Sequence, residues 1–502
     1  MVFNSAVFIL FLSIVFILYW TLGRFSDGHR LQNRFLLIAS YFFYGYWDWL
    51  FLGLIMISTT GDFLLGRLLE SSEKPGRRRL LITASVALNL TFLGIFKYYD
   101  FFIGSFVAMS RSIFPSSFPD GGESLFLHVI LPVGISFYTF QSMSYTIDVY
   151  RRTIKAEKNF LDFALFVSFF AQLVAGPINR ADELLVQVKK ARVFKMEDIR
   201  NGLWLILLGF FMKVYVADNL APIVNQVYLP GKLYYELYPI SAAGHGGAQA
   251  ILASIGFVYQ IYGDFAGYSF IAMGSASLLG FRLPMNFITP ELSQNPVELW
   301  RRWHVSLNRW VTDYIYIPLG GSRMGEFNKQ RNIFIAFLLM GLWHGASWTF
   351  LLWGVFHGVW MVLHAVTRPY LPKLPDNAHP VLKVAVKAIK MILAYSTFGL
   401  SATFFRAYDL NHIILIWKSI FTFPCDLTEN VNGVPAAGVY FMDMFQKIWI
   451  LIALDIAMYR AGNDPIWIFK KPVWVRSAIY IVLFFMILTL GVFGKDVLYF
   501  AF

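Results

Sequence analysis

An all-α, polytopic membrane bundle is the fold class this sequence predicts, and three observations carry it. Of 502 residues, 57% are hydrophobic and only 14% are charged, against about 45–50% and 25% in soluble domains. Apolar runs of roughly 20 residues, enough to cross a bilayer core, recur along the chain. Basic loops separate many of them. The excess of 42 Lys+Arg over 30 Asp+Glu, net +12, fits loops held on the cytoplasmic side better than nucleic-acid binding. Disorder and collagen are excluded, and an ordinary cytosolic globule nearly so. A single cysteine, Cys425, excludes an internal disulfide framework, a cysteine zinc site and an iron–sulfur cluster.

The spans read in order as 3–22, 35–56, 80–97, 128–149, 201–223, 248–271, 347–366, 381–404, 439–460 and 475–494, with shorter apolar pieces at 59–70 and 331–343. The first is a transmembrane helix rather than a cleavable signal: Met1 to Ser5 carries no basic residue, and no small-residue cleavage site follows Trp20. Basic clusters at Arg24/Arg30/Arg34, Lys74/Arg77/Arg78/Arg79, Arg151/Arg152/Lys155/Lys158, Lys189/Lys190/Arg192, Arg323/Lys329/Arg331, 368–390 and Lys470/Lys471/Arg476 fall on one side. The weakly charged loops 115–124, 228–247 and 424–436 fall on the other. If 59–70 and 331–343 both cross, the alternation is consistent and both chain ends are extracytoplasmic. Three stretches do not read as simple spans. Residues 160–178 run into Ala175-Gly176-Pro177, residues 282–323 are polar and rich in Pro and Trp, and 409–423 is amphipathic. Re-entrant or interfacial helices are expected there. Irregular backbone at membrane depth survives only beside protein or a water-filled cavity, so a cavity is expected near 282–323.

An ionisable residue inside a span is costly and marks a functional candidate. In GLWHGASW (341–348) His344 lies between two apolar runs whose outer flanks, Arg331 and Arg368, are both basic. Residues 331–366 therefore read as a hairpin that enters and returns, breaking near Gly345. His344, thirteen residues past Arg331, sits roughly 20 Å deep at 1.5 Å per residue, beside Trp343 and Trp348. It is either packed on the tryptophans or a buried neutral base, the state suited to taking a proton from a hydroxyl.

A second constellation is WRRWHVSLNRW (300–310), followed by Asp313-Tyr314. On one helix Trp303 and Trp310 would share a face, and Trp300 and His304 would be an i,i+4 pair. Arg301, Arg302 and Arg309 make this either an interfacial anchor or an electropositive wall for an anionic donor, with His304 facing a tunnel. A third, YQIYGDFAGY (259–268), puts Gln260 and Asp264 on an apolar helix. Asp264 needs a partner, for which His304 or an arginine of 301–309 could serve, or a raised pKa; a structural clamp is the plainer role. No nucleophile elbow, phosphate loop or HExxH is present. His357 and His364 share a helix face without a carboxylate at ligand spacing, so no metal site is read there.

At these residues the sequence resembles the membrane-bound O-acyltransferase family, in the bacterial branch that includes the alginate O-acetylation membrane subunit. The resemblance rests on FVSFFAQLVAGPINR (166–180), YQIYGDFAGYSFIAMG (259–274), LPMNFITPELSQNPVELWRRWHVSLNRWVTDYIYIPLGG (283–321) and GLWHGASWTFLLWGVFHG (341–358). The N-terminal FLLIASYFFYGYWD (35–48) adds to it. It implies one membrane domain over 1–502, with core motifs within 160–366 and peripheral helices in 1–150 and 381–502. It also implies a bundle of about 10–12 transmembrane helices, with re-entrant or interfacial helices, around a transmembrane tunnel. His344 matches the histidine regarded as catalytic, His304 the branch's second histidine, and Asp313 and Tyr314 its DY pair. Candidates for donor or substrate binding are Arg301, Arg302, Trp303, Arg309, Asp313, Tyr314, Trp343, Gln260 and Asp264.

The implied activity is O-acyl transfer. An acetyl group would pass from a cytoplasmic thioester, acetyl-coenzyme A or an acylated carrier, toward hydroxyls of an exported polysaccharide or envelope glycan. No bound cofactor, metal or nucleic acid is implied. The location implied is the bacterial inner membrane, among its lipids, and the partners are periplasmic or membrane-tethered acyltransferases. The alternative is an acyl conduit that hands the acetyl to such a partner. The chain departs from the branch pattern at Ala171, Gly263, Ala266, Phe270 and Thr312, so alginate itself is not implied as the acceptor.

Overall fold

The computed structural model describes residues 1–228, 246–422 and 435–494, apart from 26, 116, 119, 120, 175 and 373, together with 498. Among these residues there is no strand. Cys425, Ala175 and most of the loops 228–247 and 424–436 lie outside the described residues.

Helix α1 (Ala6–Leu22) begins on Ser5, whose hydroxyl accepts the Phe8 N–H. The expected span 35–56 is divided. Helix α2 (Gly28–Gly45) stops before Tyr46-Trp47-Asp48, and α3 (Trp49–Ser71) starts where Asp48 accepts the Leu50 N–H at 2.8 Å. The piece 59–70 is the second half of α3. Two helices remain, but a capping carboxylate, not the end of apolarity, sets their boundary. Helix α4 (Pro75–Leu93) passes through a π-turn, Gly94–Tyr98, into α5 (Tyr99–Ile113), one 39-residue rod where 80–97 was expected.

Helix α6 (Ile135–Tyr150) is buried over most of its length. It is joined to α3 and α4 by Asp62, whose carboxylate accepts from Ser85, Asn89 and Ser142. As expected, 160–178 is no simple span. It forms α7 (Phe160–Ser168) and α8 (Phe170–Leu173), broken at Phe169, with the Phe170 N–H donated to Ser40. A short α9 (Val186–Val188) follows.

Helix α10 (Met196–Phe210) runs through the π-turn Phe211–Ala217 into α11 (Asp218–Asn225). Against them lies the central post, α12 (Gly247–Leu278), which also packs on α17 (Pro380–Arg406), α18 (Leu410–Thr422) and α19 (Ala437–Arg460). Small residues let α10 and α12 meet backbone to backbone: a Cβ on Gly267 would lie 2.8 Å from the Gly209 carbonyl oxygen.

The polar stretch 282–323 holds α13 (Pro296–Arg302), α14 (Val305–Val311) and a π-turn, Thr312–Tyr316. Next comes the expected hairpin, α15 (Glu326–His344) and α16 (Trp348–Thr367), broken at Gly345-Ala346-Ser347. Its arms touch at Gly341, where a Cβ would sit 2.4 Å from the Phe350 carbonyl oxygen. The amphipathic stretch 409–423 forms α18 up to Thr422, and α20 (Val473–Leu490) is the last long helix.

Among the described residues, five helices are long and apolar enough to cross a membrane by themselves: Trp49–Ser71, Pro75–Ile113, Met196–Asn225, Trp348–Tyr370 and Val473–Leu490. Helix α1 is shorter at 17 residues, and α12, buried through most of its length, carries Gln260 and Asp264. A helix enclosed by protein does not need an apolar surface all round. On the periphery the reverse holds. Ile9, Leu10 and Ile17 of α1 and Ile481, Phe485 and Leu488 of α20 are exposed, an apolar belt that a bilayer would cover.

Candidate active site

His344 is the last residue of α15. Its ring is buried among Trp343 (centroids 4.9 Å apart), Trp353 (5.0 Å) and Phe405 (5.1 Å). Two cavities meet at it. The first, referred to as the outer cavity, is about 50 Å³ and is lined by Lys97, residues 131–137, Trp343 and His344. The second, about 30 Å³, is lined by His304, His344, Trp303, Trp353, Phe398 and Ser401 among others. Between the two stands aromatic packing, with Trp343 against Phe137, Phe140 and His304. From the stretch 282–323, Trp303 and His304 line the second of these.

His304 reaches that cavity by a route the helical spacing did not foresee. Residues 300–310 are not one helix: the chain breaks at Trp303-His304, and His304 has φ +46°, a left-handed conformation uncommon in non-glycine residues. The Asn308 side chain holds the break by donating to the carbonyls of Trp300 and Trp303, each at 2.6 Å. The tryptophans therefore diverge. Trp300 packs edge-on to His357 at 4.9 Å, Trp303 packs on Phe398 at 4.8 Å, and Trp310 stacks on Phe140 at 3.8 Å. The i,i+4 and i,i+7 relations do not exist.

The arginines also separate. Arg301 is exposed and lines an open bowl of about 1100 Å³ with Arg302, His364, Arg368, Lys390 and Glu298. Arg302 is tied to Glu298 at 2.8 Å and to the Ile288 carbonyl. Arg309 belongs elsewhere, paired with Glu183. Asp313 is paired with Arg180, and the Tyr314 hydroxyl donates to Asp148 at 2.7 Å. Together they latch the end of α6 to 180–185 and line neither cavity. One turn of α17 links bowl and inner cavity: Thr397 lines the first, Phe398 and Ser401 the second. His357 and His364 have different settings, His357 bonded to Ser401 at 2.9 Å and His364 in the bowl.

Asp264 pairs with neither His304 nor an arginine of 301–309. Its partner is Lys213, at 2.6 Å, which also meets Asp218 at 2.8 Å; all three are buried. Gln260 is buried on α12 and lines neither cavity at His344, its side-chain carbonyl without a hydrogen-bond partner among the described residues. The sequence reading missed Lys213 and Lys97, although a lone cation inside or at the end of an apolar run was a usable signal. Arg368 and Lys390 became part of the bowl only through the packing of α16 and α17.

A buried acid pair also went unseen. Glu291, in the one-turn Pro290–Leu292 outside the spans, lies against Asp455 of α19, which accepts the Tyr262 hydroxyl at 3.0 Å. Burial pushes the Glu291 carboxyl up to about 7 from its ordinary 4.5, with Arg302 opposing. The fold thus favours the protonated acid. Its stability contribution is complete below about 4.5 and is lost as pH rises through about 7. The thermal midpoint is expected to fall by a few degrees between pH 5 and pH 8, and Glu291→Gln to flatten that slope. An equal slope in the variant would remove Glu291 as its source.

Comparison with known proteins gives this arrangement its class. Residues 151–405 match the model of the membrane-bound O-acyltransferase family. The chain is 36% identical over 444 residues to the "probable alginate O-acetylase" of Pseudomonas putida, covering 88% of this chain and 84% of that one. It is 31% identical over 451 residues to the peptidoglycan O-acetyltransferase of Helicobacter pylori, covering 84% and 80%. It is 28% identical over 314 residues to the teichoic acid D-alanyltransferase of Streptococcus thermophilus, covering 55% and 68%. On these matches the chain belongs to the membrane-bound O-acyltransferase family and is a multi-pass membrane O-acyltransferase.

Proposed function

We propose that the chain, in a bacterial inner membrane, carries acetyl from a cytoplasmic thioester toward hydroxyls of an exported polysaccharide or envelope glycan. His344 is the general base. The observation that carries this reading is that the one imidazole lines both cavities, so a donor from one side and a hydroxyl from the other would meet at it. His344 takes the hydroxyl proton as the oxygen attacks the thioester carbonyl. The C–S bond then breaks, and the leaving thiolate takes the proton back from the imidazolium, giving ester and free thiol. His304, across the inner cavity, orients the donor carbonyl.

The bowl suits an anionic donor, acetyl-coenzyme A or an acylated carrier, through Arg301, Arg368 and Lys390. Reversing charge at Arg301 and Arg368 together is expected to raise the KM for acetyl-coenzyme A about tenfold at low salt, and by less as salt screens the field. A KM unchanged at low salt would return these residues to membrane anchoring.

The outer cavity favours a second reading. About 50 Å³ is room for a hydroxyl-bearing tip, not a sugar ring. The acetyl would then pass to the nucleophile of a periplasmic or membrane-tethered acyltransferase. Cells with and without the chain are compared for acetyl ester on envelope polymers, and the purified chain for product with and without such a partner. Equal ester in both strains sinks the proposal; product from the chain alone sinks the hand-over.

A further inference from the structure

Helix α15 ends inside the bundle at His344, and the last carbonyls of a helix have no partner within it. The structure closes that end from another element. Lys97 Nζ donates to the Trp343 carbonyl at 2.6 Å and to the His344 carbonyl at 3.1 Å, and the Tyr98 hydroxyl donates to the Leu342 carbonyl at 3.1 Å. Both donors come from the π-turn Gly94–Tyr98 between α4 and α5. Such turns insert one residue into a helix and recur at functional sites. Here the turn presents two consecutive side chains to three consecutive carbonyls.

The choice of a lysine is informative. A charged group at this depth is expensive, and among the described ion pairs no carboxylate accompanies Lys97. Its ammonium is held instead by the negative end of a helix, with Ser136 at 3.5 Å and the Trp343 ring at 5.9 Å. Lys97 also lines the outer cavity together with His344.

We propose that Lys97 and Tyr98 are positioning residues for acyl transfer: they fix the end of α15 so that the His344 imidazole faces both cavities. This rests on the reading of His344 as the base. A loosened helix end leaves donor binding intact but misplaces the base, and a displacement near 1 Å can cost about a hundredfold. The defect belongs in kcat, not in the KM for donor.

The test measures acetyl-ester formation in membranes at varied acetyl-coenzyme A, for wild type, Lys97→Met, Lys97→Arg, Tyr98→Phe and His344→Ala. Lys97→Met is expected to lose at least about tenfold in kcat with KM within about twofold. Lys97→Arg should recover most of the loss, and Tyr98→Phe should show a smaller fall in kcat alone. Tyr98→Phe deletes one hydroxyl and keeps the ring, so it reads the clamp even if Lys97→Met fails to fold. Wild-type kcat in either Lys97→Met or Tyr98→Phe overturns the clamp, as does a Lys97→Met defect confined to KM. Activity in His344→Ala overturns the underlying reading instead. An inactive His344→Ala beside a fully active Lys97→Met overturns only the clamp.

Discussion

Replacing His344 by glutamine is expected to lower ester formation by about a hundredfold to ten-thousandfold, the range that a positioned general base contributes. Glutamine keeps a planar polar group among Trp343, Trp353 and Phe405 but cannot take a proton. The chain should therefore insert and accumulate normally. The measurement is ester on envelope polymer per unit of chain in matched membranes. His304→Gln should fall less, because His304 lines only the inner of the two cavities that meet at His344. His357→Gln is the control. That ring is just as buried, but its bond is to Ser401 and it lines neither cavity, so its kcat should stay near wild type. Near-wild-type ester from His344→Gln would take the base out of the mechanism.

The largest structural effect is expected at Lys213. Its ammonium is about 1% exposed and lies between Asp218 and Asp264. Lys213→Met would leave both carboxylates buried without the cation. Breaking such a cluster from one side costs about 3–5 kcal/mol, enough to remove most of the chain from the membrane. Removing these three charges together is different, because neutral partners need no counter-ion. Lys213→Met combined with Asp218→Asn and Asp264→Asn should regain much of the lost stability. Thermal unfolding in detergent, with the amount of inserted chain, checks both. A Lys213→Met chain as stable as wild type would show that the cluster does not hold α11 to α12.

Which features were legible follows from where their physics lies. The α15–α16 hairpin was readable because its two basic flanks and the glycine after His344 are local. The amphipathic α18 was readable for the same reason. The boundary between α2 and α3 was misplaced because one capping aspartate, Asp48, outranks the continuous apolar run around it. Residues 300–310 looked like one helix because the spacing allows it. Asn308 closing back on two carbonyls makes it two. Asp264 was given the wrong partner because sequence lists the available cations but not which helix faces α12.

By itself, then, the sequence determined the solvent this chain folds in, its family, and the pair His304 and His344 that the fold brings to one cavity. Bilayer cost and loop charge act on each segment separately, and the motifs around His304 and His344 are contiguous. Only the tertiary structure decided that Arg309 parts from Arg301 and Arg302 to pair with Glu183, that Arg368 and Lys390 join Arg301, and that a lysine more than two hundred residues away closes the helix carrying His344. Those are pairings across helices. The free energy of a buried charge depends on which group stands beside it, which no linear spacing records.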